Sequence, residues 1–161
     1  MANKIYQLHE TVVTWLASGG TELFTPTSLA TLSGRQGALH DFGTAAIGRR
    51  FAWRAWVKPG ATRVVGEVIE FYLKTSDGSH PDNDDGTGDA ALSAADKLRN
   101  LTPIGTIQID ENAAVEMVCS GIVDMLHRHA APVIFNRTAN TLSATAADFG
   151  FSMTPVTDEI Q

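Results

Sequence analysis

The densest group of side chains able to do chemistry lies between Asp77 and Asp89, where Asp82, Asp84, Asp85 and Asp89 offer hard carboxylate oxygens of the kind that bind calcium. Their spacing fails the EF-hand pattern. With Gly86 in the turn position the first ligand would be Pro81, and with Gly88 the bidentate glutamate position falls on Ala94. The stretch reads as a solvated acidic loop, and no cofactor or metal is called for. His127 and His129 share a face if their segment is extended, as two metal ligands would, but no third ligand accompanies them. Asp41-Phe42-Gly43 and Asp148-Phe149-Gly150 match the kinase metal-binding tripeptide without the glycine-rich or catalytic loops that give it meaning. Neither a Gly-x-Ser-x-Gly elbow nor a phosphate-binding glycine loop occurs, so the expectation is a protein that is not an enzyme. A cupin-like metal site on His127 and His129 is the catalytic alternative.

A second cluster, Arg49, Arg50, Phe51, Trp53, Arg54 and Trp56, combines aromatic rings with forked cationic donors. That composition suits stacking on bases or pyranose faces. Alternation divides it: Phe51, Trp53, Ala55 and Val57 fall on one face of a strand, and Arg50, Arg54, Trp56 and Lys58 on the other. The first set is candidate core. Arg50, Arg54 and Trp56 are the candidate interface, because interfaces enrich Trp and Arg together.

These residues need a scaffold, and composition bounds it. The chain has 161 residues with 43% hydrophobic content, which suits one compact domain over 1–161. The net charge of −6 opposes sequence-independent binding to nucleic acid or to anionic membranes. A single cysteine, Cys119, excludes an internal disulfide and any zinc site built on cysteine pairs. The N-terminus lacks a basic segment followed by an apolar run, and no window approaches a membrane span, so the chain reads as soluble and unprocessed.

The pattern along the chain is β throughout. Thr11 to Leu16, Gln36 to Phe42, Arg49 to Val57, Val64 to Leu73, Ile104 to Asp110, Pro132 to Asn136 and Phe149 to Met153 read as strands. The Arg49 and Val64 runs are expected as adjacent strands joined by the turn at Pro59-Gly60. Thr21 to Gly34 is expected to cross one end as a surface loop, and Asp77 to Asp89 to be exposed and mobile because it has almost no apolar side chain to bury. Ala90 to Leu98 favours a short helix. Val115 to Met125 fits both periods. The strand is preferred, since Gly121 would cost a helix interior about 1 kcal/mol and a helical stripe leaves out Met117, Val123 and Met125. Eight or nine strands, long end loops and one short helix predict an all-β, antiparallel jelly-roll-like sandwich, with Phe51, Trp53, Val68, Phe71, Ile107, Phe149 and Phe151 inside. Polar arms are expected at about 1–10 and 154–161.

The order of segments resembles that of small virion structural proteins of tailed bacteriophages. The resemblance is carried by Trp15-Leu16-Ala17-Ser18-Gly19-Gly20, Gly34-Arg35-Gln36-Gly37-Ala38 and Phe71 to Gly78, then Arg99-Asn100-Leu101, Ile104-Gly105 and Phe151 to Gln161. It implies a capsid decoration (cement) protein on the outer surface of the virion, bound to the major capsid protein as a homo-oligomer, typically a trimer. No catalytic residue comes with it. The alternative is a carbohydrate- or receptor-binding sandwich module with Trp56 and the acidic loop at its ligand site.

Overall fold

The computed structural model describes residues 5–43, 49–110 and 115–160. Its strands are β1 (Ile5–His9), β2 (Val13–Leu16), β3 (Glu22–Leu23), β4 (Gly34–Gln36), β5 (His40–Asp41), β6 (Arg50–Val57), β7 (Val68–Ser76), β8 (Ala90–Ala91), β9 (Thr102–Gln108), β10 (Met117–Asp124), β11 (His129–Asn136) and β12 (Phe149–Ile160). Two sheets form. The first has the order β10-β6-β12-β2-β3 with β1 on β12, and the second β8-β4-β11-β7-β9 with β5 on β11. Setting aside β1, which lies off the main path on the end of β12, and the two-residue β3, β5 and β8, the strands pair antiparallel as β2 with β12, β4 with β11, β6 with β10 and β7 with β9. First pairs with last, second with next to last, and so on inward. The two sheets are therefore the two walls of a rolled ribbon, a jelly-roll sandwich.

This topology corrects one reading of the sequence. The strands flanking Pro59-Gly60 follow one another in the chain but lie in opposite sheets, β6 in the first and β7 in the second. A tight turn would have paired them. Instead Lys58 to Glu67 crosses between the walls, as consecutive strands of a jelly roll require.

Burial follows alternation. In β6 the side chains of Phe51, Trp53, Ala55 and Val57 are buried while Arg50 and Arg54 are exposed. β10 is a strand, and Met117, Cys119, Gly121 and Val123 turn inward while Val118, Ser120, Ile122 and Asp124 face water. Of the seven expected core residues, Phe51, Trp53, Phe71, Ile107, Phe149 and Phe151 are buried, and Val68, at the start of β7, is half-buried. Trp53 stacks on Phe151 with the rings 12° from parallel. Its indole also reaches across to the other sheet, where a Cβ on Gly105 of β9 would fall 2.7 Å from its Cη2. A glycine there is what lets the sheets close at the β9 and β10 side.

The acidic loop is not the free segment its composition suggests. Residues 81–101 fold over the outer face of the second sheet, where Leu92, Leu98 and Leu101 form a small second core with Tyr72, Val133 and Phe135. The loop's polar groups are what dock it. Lys74, fully buried on β7, donates from Nζ to Gln36 Oε1 at 2.9 Å and to the Gly86 carbonyl. Gln36 Nε2 in turn donates to the carbonyls of Asp85, Gly86 and Gly88. Asp89 accepts from Nε and Nη2 of Arg35 and from the Thr25 amide. The loop's acceptors thus satisfy buried donors of the sheet. Asp77 to His80 are exposed throughout, as are Asp84 and Gly86 to Gly88.

Other expectations shift in detail. Thr21 to Gly34 is a loop that plugs the core, with Phe24 and Leu29 buried. Gln36 to Phe42 is split into β4 and β5 around Gly37 to Leu39. In Ala90 to Leu98 the helix shrinks to a 3-10 turn, Ala95–Leu98, after the two residues of β8. The polar arms pair with each other, β1 lying antiparallel on the end of β12 from Val156 to Ile160. Residues 1–4 and Gln161 of those arms lie outside the described residues.

Candidate docking face

The two outer faces of the sandwich differ. That of the second sheet is covered by residues 81–101, whereas that of the first carries no such cover among the described residues. β6 and β10 build the open face in register: Arg50 opposite Asp124, Ala52 opposite Ile122, Arg54 opposite Ser120, and Trp56 opposite Val118. On the other side of β6 stand Thr154, Ser152 and Gly150 of β12. The sequence-predicted trio Arg50, Arg54 and Trp56 therefore shares one surface. Ile122 is 67% exposed and Val118 39%, so an apolar strip runs beside the arginines.

Trp56 is held in place by what its neighbour lacks. A side chain on Gly150 would run into the indole, so the ring lies flat across the β12 backbone. Beside it, Leu16, Ala17, Ala146, Ala147 and Phe149 line a cavity of about 360 Å³. Arg50 Nε stands 3.9 Å from Asp124 Oδ1, with both groups well exposed. Such a pair is worth little. Arg54 is in ion-pair reach of no carboxylate among the described residues.

The remaining candidates are dispersed. His127 is exposed in the turn after β10, while His129 is half-buried with Nε2 3.5 Å from Asp41 Oδ2. No set of three His, Cys, Asp or Glu side chains among the described residues is placed to hold a metal. Arg128 bonds to Asp41, and that contact with the Gly43 amide holds the Asp41 carboxyl down at about 2. Burial pushes the Cys119 thiol up to about 11, which keeps it protonated and unreactive at neutral pH. A cavity of about 560 Å³ is an open polar cleft that includes Lys58, Asn140, Thr141, Ser143 and Asp148. Ser143 donates to Asp148 there, with no histidine in the lining to act as a base. Trp56 and the acidic loop lie on opposite outer faces, so they do not form one ligand site. The exposed Val118 and Ile122 were missing from the sequence reading, although alternation along β10 places both beside Ser120 and Asp124.

No protein-family model matches the chain, and no curated protein is similar to it.

Proposed function

We propose that the protein is a non-enzymatic virion structural subunit, a capsid decoration protein that docks on the outer surface of the shell through the open face of its first sheet. The observation that carries this reading is the asymmetry of the sandwich: the chain covers one outer face with its own residues 81–101 and, among the described residues, lays no such cover on the other. That open face presents Ile122, Val118 and Trp56 beside two arginines on a protein of net charge −6. An apolar strip with embedded Trp and Arg has the composition of an interface core. Arg54, without an ion pair among the described residues, calls for a carboxylate on the partner, the major capsid protein in this reading, and a display of many identical copies turns a modest contact into firm attachment. Co-sedimentation with shells lacking the protein tests it. The wild type is expected to pellet with shells, as is Arg99→Glu on the covered face, while Arg54→Glu combined with Trp56→Ala stays in the supernatant. If the double variant pellets as well as the wild type, or the wild type does not pellet, the reading fails.

The carbohydrate-binding alternative keeps one supporting feature, the cavity beside Trp56. Its test is a change in the fluorescence of Trp56, the one tryptophan that is not buried, on adding neutral oligosaccharides.

A further inference from the structure

β10 is a sheet edge, paired with β6 along all eight of its residues and, among the described residues, with no strand on its other side, where β9 of the second sheet comes near. Natural edges are blunted by shortness, proline, bulges or lysines, because a bare row of N–H and C=O groups templates another strand. The other edges show these devices. β3, β5 and β8 have two residues each, and β9 carries Pro103 with a register shift opposite Phe71 and Tyr72. β1 is shorter, with five residues. β10 has none of them: it is regular, lacks proline and lysine, and shows Val118 and Ile122 to solvent, with Leu126 just beyond it 77% exposed.

We infer that β10 pairs antiparallel with β10 of a second copy of this chain, about a two-fold axis at Ile122, joining the two first sheets into one. The register is chosen by complementarity. With Ile122 opposite Ile122 of the partner subunit, Ser120 faces Asp124 of the partner subunit, and Val118 lies toward the bend that carries the exposed Leu126 of the partner subunit. Ile122 then packs on its own copy, and no like charges oppose within the strand. Shifting the axis to Gly121 sets Val118 against Asp124, and shifting it to Ser120 sets Asp124 against Glu116, two carboxylates. An isologous contact of this kind closes at two subunits, in place of the trimeric ring that the resemblance implies. It also doubles the open face. The pairing stands apart from the docking reading, since an edge pairs whether or not a shell is present.

Light scattering at high micromolar concentration is expected to give twice the chain mass of 17.2 kDa for the wild type. Ile122→Lys, at an exposed position, is expected to give the monomer with an unchanged circular-dichroism spectrum. The register is read by disulfides in a Cys119→Ala background. Ile122→Cys should cross-link into a covalent dimer under mild oxidation, whereas Ser120→Cys, which faces Asp124, should not. A monomeric wild type overturns the pairing, and so does a cross-link at Ser120→Cys without one at Ile122→Cys. A wild type that is monomeric yet pellets with shells removes the pairing and leaves the docking reading; a dimer that does not pellet does the reverse.

Discussion

Lys74 and Gln36 lie on different strands, β7 and β4, and meet over the intervening β11 in a hydrogen bond of 2.9 Å that is wholly buried. The bond fastens the acidic loop, because the same ammonium holds the Gly86 carbonyl and the same amide holds three loop carbonyls. Lys74→Met keeps much of the stem and removes every donor, leaving Gln36 Oε1 unpaired and the Gly86 carbonyl to Gln36 Nε2 alone. The expected cost is about 1–3 kcal/mol of stability, the usual penalty of an orphaned buried group. Hydrogen exchange read by mass spectrometry should show faster labelling across 82–89 with β6 and β12 unchanged. Equal protection of the loop in both proteins would show that Leu92, Leu98 and Leu101 hold it alone.

Asp41 gives the protein an acid-sensitive contact. Its carboxyl titrates at about 2 in the folded chain against an ordinary 3.8, because Arg128 and the Gly43 amide bond to the charged form. A folded-state value below the unfolded one means stability that is present above the ordinary value and is lost as pH falls through the folded one. Asp41→Asn removes this contribution. Urea unfolding of the two proteins should therefore differ at neutral pH and converge as pH falls from about 4 to about 2. Asp77, also held low by the Ser79 and His80 amides, titrates in both proteins and cancels in the comparison.

Trp53 is fixed from two sides, stacked on Phe151 within its own layer and blocked by Gly105 from the opposite sheet. Gly105→Ala places a methyl against a ring that has nowhere to go. Overpacking of this kind costs about 1–3 kcal/mol. Trp53→Phe alone leaves a gap and is destabilising too, but the double variant Gly105→Ala, Trp53→Phe should lose less than the two singles added together. Chemical denaturation of all four proteins measures the coupling, and strict additivity would show that the two residues do not touch.

The sandwich was legible because its strands alternate: Phe51, Trp53, Ala55 and Val57 in β6, and Met117 to Val123 in β10, each declare an inner face. Alternation says which side a residue faces and nothing about which strand lies beside it. That is why Pro59-Gly60 suggested neighbours where the chain in fact changes sheets. The loop 77–89 misled for a different reason. Its own composition has nothing to bury, and the reason it docks lies far off in the chain, in Arg35, Gln36 and Lys74, whose donors need acceptors. A lysine in the middle of an apolar strand, between Leu73 and the β11 partner Ala131, was the available signal. For the docking face, Arg50, Arg54 and Trp56 were readable from one strand, while Ile122 and Val118 needed the pairing of β10 with β6 to join them.

The position of Trp56 depends on Gly150, which makes the docking face open to a test that spares every group on it. Gly150→Ala puts a methyl where the indole now lies on the β12 backbone. Trp56 is only partly buried, so the ring can swing outward, and the stability cost should be small, within about 1 kcal/mol. Its surroundings change more. Leaving Leu16 and Phe149 for water should shift the Trp56 emission to the red, while Trp15 and Trp53, both buried, keep theirs. With Arg50, Arg54, Val118 and Ile122 untouched, binding to shells should weaken about tenfold if the flat indole belongs to the contact, the scale of one displaced anchor residue. Full binding by a variant whose emission has shifted would remove Trp56 from the docking face and leave the contact to the arginines and the β10 strip.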